Sequence, residues 1–174
     1  MKLSYDRSFF IAGIIALVVA IVISVQGKAL QSPVTPLGIL DLEFARSENR
    51  VDEVVNAWQF MSLTALWNVL IDFAFLAAYG YFFSKTMKYL SAGRSHTFWY
   101  RQYPLLNKLA WVPSWLDGIE NAFMLGWLLR FVPAGSPAVV FWLVCVKFAV
   151  AFILVCIALP AWVYNIYRRF KPIQ

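Results

Sequence analysis

Residues 138–163, AVVFWLVCVKFAVAFILVCIALPAWV, form an apolar run interrupted by a single charge, Lys147. At about 1.5 Å of rise per residue the run covers roughly 39 Å as a helix, more than the hydrocarbon core of a bilayer at about 30 Å. Read as a membrane helix, this stretch decides the class of the chain. Three more segments are long enough to cross at roughly 20 residues each: 9–26, 61–83 and 109–131. The first resembles a signal peptide, with Lys2 and Arg7 ahead of the apolar run and Val25-Gln26-Gly27 after it, but it is read as a retained helix.

Composition agrees. With 61% hydrophobic residues and a mean hydropathy of +0.67, the chain has too little polar surface to cover a water-soluble globule. The expected fold is therefore all-α: one integral membrane domain, a four-helix bundle. Residues 28–60 are expected to form an outer cap and 84–108 a cytoplasmic basic loop.

The formal charge of +6 does not point to nucleic acid, because the basic residues are sorted by segment. Lys85, Lys88, Arg94, Arg101 and Lys108 fall in the second loop, and Arg168, Arg169 and Lys171 in the tail. By the positive-inside rule both termini and the second loop are cytoplasmic, in what reads as a bacterial inner membrane, and the basic balance reflects topology and contact with anionic lipid headgroups. The aromatics of Phe98-Trp99-Tyr100-Arg101 suit an interfacial belt, and His96 is read as an exposed loop residue. Cys145 and Cys156 stand about 16 Å apart along one helix, too far to bond to each other. The turn 132–137 should make the last two membrane helices antiparallel neighbours.

The cap has its own patterning. Thr35-Pro36 reads as an N-cap followed by a first-turn proline, and Ser47 as a second N-cap before Glu48. Leu37, Leu40 and Phe44 share one face, and Val51, Val54, Val55 and Trp58 another, with Glu43 among the acids of the remainder. Two short amphipathic helices covering the mouth of the bundle are expected, with Glu43 and Trp58 as candidate cap residues.

The chemistry is concentrated in the apolar segments. Asp72, Asp117, Glu120 and Lys147 lie near the middle of theirs, where each unpaired charge costs about 2.5–3.5 kcal/mol. Asn68 and Asp72 are four apart, with Tyr79 further along the same stripe; Asp117, Glu120 and Asn121 are three and four apart. Both stripes should face inward. Lys147 can neutralise one carboxylate, leaving two that must be protonated or hydrated. Protonating an ordinary Asp at neutral pH costs about 4 kcal/mol, comparable with burying it charged, a near-balance suited to proton exchange.

Asp72, Asp117, Glu120, Asn121, Asn68, Lys147 and Tyr79 are therefore the candidate ligand-binding set. Metal, cofactor and nucleophile signatures are absent, so neither a metal nor a cofactor is expected. The leading expectation is a polar intramembrane cavity holding a small lipophilic or amphipathic molecule, with acid–base chemistry on it open. A proton-coupled transporter or channel component, which would call for a homo-oligomer, and an accessory subunit with a structural ion pair are the alternatives.

Leu42-Glu43-Phe44-Ala45, Asp72-Phe73 with Tyr79, Asp117-x-x-Glu120-Asn121 and Lys147 resemble an uncharacterised bacterial family of small four-helix membrane proteins. In size, helix number and long first outer loop the plan is also similar to the EXPERA group, which includes sterol isomerases. The membrane histidine expected of the isomerases has no counterpart here.

Overall fold

The computed structural model describes residues 5–92, 98–131 and 137–170. All its regular elements are helical. In chain order they are α1 (Arg7–Gly27), α2 (Leu40–Glu43), α3 (Glu48–Ala57), α4 (Ser62–Ser91), α5 (Phe98–Leu109), α6 (Val112–Leu128) and α7 (Pro137–Phe170), with a 3-10 turn at Lys28–Leu30 after α1. Among the described residues three stretches are long and apolar enough to cross a membrane: Arg7–Leu30, Ser62–Ser91 and Pro137–Phe170. The turn expected at 132–136, His96 and the side chains of residues 98–100 lie outside the described residues.

The segment expected at 109–131 forms a shorter helix of 17 residues, α6, and both of its ends have a local cause. Pro113 lacks an amide proton and costs least in a first turn, where that proton would have no partner, and the helix starts at Val112. At the other end Arg130 adopts the left-handed conformation (φ 55°), and the amides of Arg130 and Phe131 fold back onto the carbonyls of Trp127 and Gly126 at 3.1 and 2.8 Å.

The expected basic loop is largely helical too. Helix α4 runs eight residues past 83 to Ser91, because Thr86, Met87 and Tyr89 are buried and keep the helix packed after the lysines appear. Helix α5 then accommodates Pro104 within its span.

Helix α1 begins with a side-chain cap. Asp6 accepts from the amides of Ser8 and Phe9 at 2.8 and 3.1 Å. Partial burial works to raise this carboxyl, but those bonds and the Ser8 hydroxyl outweigh it and hold it below the ordinary aspartate range. Helix α1 packs mainly on α4, α4 on α6 and α6 on α7, with α7 returning to α4. Helices α1 and α4 are antiparallel: Phe9 stacks on Phe82 at one end of the pair, while Gln26 Nε2 donates to the Thr64 carbonyl at the other. Helices α4 and α6 touch at Gly80, where a Cβ would overlap Ser114 Oγ and come within 2.8 Å of the Trp111 ring.

Two apolar cores result. One, at the end carrying the chain termini, joins Phe9, Phe82, Met87, Leu154 and Ala158; the other, at the cap end, joins Leu42, Val54, Trp58, Val69, Met124 and Val144. The cap therefore docks into the bundle, with α2 against α6 and α7 and α3 against α6.

Within the cap, Ser47 Oγ accepts from the Arg50 amide at 3.3 Å and starts α3. Thr35 does not start a helix. Its buried hydroxyl donates to the Leu30 carbonyl at 2.7 Å, Gly38 turns with φ 64°, and α2 begins only at Leu40. Trp58 is fully buried beneath this turn, its Nε1 donating to the same Leu30 carbonyl at 2.9 Å.

Candidate functional site

Between the two cores lies a band of polar side chains. Helix α6 turns Asp117, Glu120 and Asn121 inward, as their three- and four-residue spacing requires, and all three are buried. Helix α7 supplies Lys147, whose Nζ lies 2.6 Å from Glu120 Oε2, 2.8 Å from Asp117 Oδ1 and 3.3 Å from Glu43 Oε2. The second Asp117 oxygen accepts from the Tyr79 hydroxyl of α4 at 2.9 Å. Asp72 stands one step away, its Oδ2 receiving Asn121 Nδ2 at 2.7 Å.

Lys147 contacts three carboxylates, of which its single charge can balance one, and Asp72 is not among the three. Asn68 is not part of the cluster: its Nδ2 donates to the Ile23 carbonyl at 3.3 Å and, over a short contact, to Gln26 Oε1 of α1. Trp58 stays within the cap core. Helix α1 contributes Gln26 to this second polar junction.

The unexpected member is Glu43. It was placed in the cap, and α2 carries it there, but its side chain reaches into the bundle and the residue is only 8% exposed. Burial pushes its carboxyl above the ordinary glutamate range; Lys147 opposes the rise and Asp117 adds to it. In the motif Leu42-Glu43-Phe44-Ala45, Leu42 and Ala45 are almost fully buried while Phe44 is exposed, so the sequence around Glu43 carries no mark that turns this acid inward. Three carboxyl groups thus gather about one ammonium, with Asp72 one step away through Asn121. Among the described residues no group of His, Cys, Asp and Glu is placed to hold a metal, and the position between Glu43, Asp117 and Glu120 is taken by Lys147 Nζ.

Beside the cluster a cavity of about 520 Å³ runs between α1, α4 and α7. Asp117, Lys147 and Tyr79 lie at one end and Trp162 at the other, and nearly everything between is aliphatic or aromatic. Its rim includes Leu17 and Phe152, 51% and 69% exposed, so it faces sideways between α1 and α7. No cap residue lines it. The expected cavity was polar and lay under the first loop; this one is apolar along its length and polar at one end.

No protein-family model, curated protein or solved structure matches the chain.

Proposed function

We propose that this chain is a multi-pass membrane protein in which α1, α4, α6 and α7 form a four-helix bundle, and that it holds a small lipophilic or amphipathic molecule in the cavity between α1 and α7. The observation that carries the reading is the junction of an apolar, sideways-facing cavity with a buried charged cluster. A membrane-dissolved molecule can slide in from the lipid, bury its apolar part against Phe75, Phe82 and Phe148, and bring its polar end to Tyr79 and Asp117. Lys85, Lys88, Arg101, Arg168 and Arg169 sit at the end that carries both termini, which supports a cytoplasmic assignment for that end. Because Asp117 already accepts the Tyr79 proton in a hydrogen bond, the pair is also placed for acid–base work on a bound group.

Native mass spectrometry of the protein extracted in lipid nanodiscs, followed by organic extraction, tests this. A defined small lipophile should accompany the wild type and be lost from Ala151→Phe, which projects an aromatic ring into the cavity. Equal recovery from both proteins, or bulk bilayer lipid alone in each, overturns the reading.

A second reading, a proton-linked function, rests on a different observation: Glu43, Lys147, Asp117 and Tyr79 form a connected polar line from the cap to the cavity. It is tested by proton flux into liposomes, which Asp117→Asn and Glu43→Gln should each reduce about tenfold or more if the line carries protons. Unchanged flux removes it. The burial of Glu120 and Asn121 inside the chain's own bundle favours both readings over an accessory subunit that offers its polar face to a partner.

A further inference from the structure

Resting on the cavity reading above, we infer that the occupant is a lipophilic cation, an amphiphile with an ammonium head, and that the site takes it up in exchange for a proton. Charge is the first support. Carboxyl oxygens of Glu43, Asp117 and Glu120 all lie within 3.3 Å of Lys147 Nζ, so three acids share one base. Asp72 adds a fourth acid, and its partner Asn121 is neutral. Among the described residues that line the cavity there is no base besides Lys147: α1 brings apolar positions such as Ala16 and Leu17, and α4 the phenol of Tyr79.

Three ionised acids beside one ammonium would leave uncompensated charge in a buried site, so the surplus is held as protons. Asp117 accepts a donor on each oxygen, Lys147 Nζ at 2.8 Å and the Tyr79 hydroxyl at 2.9 Å, which marks it as the ionised partner of the lysine. Glu43 and Glu120 meet no donor but Lys147 among the described residues, and the surplus protons fall to them.

The rings are the second support. Tyr79, which holds Asp117, stands between Phe75 and Phe83 on α4 with ring centroids 5.0 and 5.7 Å away, and all three line the cavity. Aromatic faces attract cations without carrying a formal charge, and Lys147 Nζ already sits 4.8 Å from the centroid of Phe148. A carboxylate set among rings, at the end of a cavity open to lipid, suits an ammonium head whose apolar part lies along the remaining wall.

An added cation would leave this neutral cluster positive unless a proton departed. When the ammonium pairs with Asp117, Lys147 is freed to balance Glu120; the Glu120 O–H bond breaks and its proton passes to water. One positive charge enters and one leaves. A neutral head requires no exchange, and an anionic head would draw a further proton in, so the sign of the proton linkage reports the charge of the occupant.

The full chain in phosphatidylcholine nanodiscs is titrated with dodecyltrimethylammonium, dodecanol and dodecyl sulfate, which share one tail and carry heads of fixed positive, zero and negative charge. Each is kept below its micellar concentration, and protein-free nanodiscs are subtracted. The cation should bind about tenfold more tightly than the alcohol, and its affinity should rise by up to about tenfold per unit between about pH 6 and pH 8, the slope of one released proton. Dodecanol should show no slope. Ala151→Phe should abolish binding of both. Glu43→Gln combined with Glu120→Gln should keep dodecanol, which reports an intact cavity, and lose the preference for the cation together with its slope; where that double variant does not fold, the wild-type slope decides the exchange.

Dodecanol bound as tightly as the cation overturns the cationic occupant while leaving a cavity that binds lipophiles. Dodecyl sulfate as the tightest probe, weakening as pH rises, overturns it too and gives the head to Lys147. A preferred cation without a slope, or a slope that survives the double variant, overturns the exchange. Absence of any binding that Ala151→Phe blocks overturns the cavity reading itself.

Discussion

Lys147→Met should destabilise the folded protein by about 3–5 kcal/mol, the range for removing one partner of a buried ion pair. Methionine keeps the length and apolar character of the stem, so the change isolates the charge. Glu43, Asp117 and Glu120 then face one another without their shared cation, in a site where none of the three is more than 8% exposed. Since whole domains are stable by only about 5–15 kcal/mol, the effect should show as a large drop in Tm in detergent or nanodiscs. The cost comes from uncompensated carboxylates rather than from the lost contacts, so adding Asp117→Asn and Glu120→Gln to Lys147→Met should recover a substantial part of it. A loss below about 1 kcal/mol for the single variant would mean that the cluster is hydrated and behaves as a surface pair.

The second large effect is expected at Trp58, and it should be local. Its indole is fully buried among Leu30, Leu42, Val54 and Val55, and Trp58→Ala removes that volume from the middle of the cap, at a cost of about 3–5 kcal/mol. The Leu30 carbonyl keeps its bond from Thr35, so the loss is mainly one of packing. Because the cap is held chiefly by this core and by Glu43, residues 30–60 should become sensitive to protease and lose amide protection, while α1 and the far end of α7 stay protected. Trp58→Phe, which keeps most of the volume and forgoes the hydrogen bond, should cost only about 1 kcal/mol. Uniform loss of protection across all helices in Trp58→Ala would show instead that cap and bundle unfold as one unit.

Parts of this architecture are legible from sequence because they depend on local pattern. The runs around Phe9, Phe73 and Phe152 are apolar over a membrane's width, and the spacing of Asp117, Glu120 and Asn121 places them on one helical face whatever packs against it. Helix ends were read less well where polar residues continue a helix. Lys85 and Lys88 lower the hydropathy, yet Thr86 and Met87 between them and Tyr89 after them remain buried and α4 goes on.

Spacing also fixes a face without naming the neighbour. Asn68 and Asp72 share a ridge of α4, but that ridge is divided between two partners, so Asn68 meets Gln26 of α1 while Asp72 meets Asn121 of α6. Glu43 was the hardest to place, because its position depends on a loop folding back over helices made much later in the chain. The cavity escaped for a related reason: it is the gap left where α1 and α7 stand apart, and no residue type marks a gap.

The contact between Glu43 and Lys147 joins positions 104 residues apart, and this separation sets an order of assembly. Synthesis runs from the N-terminus, so the cap, α4 and α6 all exist before Lys147 has left the ribosome. Until then Asp117 and Glu120 have no cation, and α2 has no ionic seat. The last helix made is the keystone of the first loop. A chain that stops short of residue 147 loses more than a wall of the bundle, because its cap packs on α6 with Glu43 unanswered, and Asp117 and Glu120 lack the same cation.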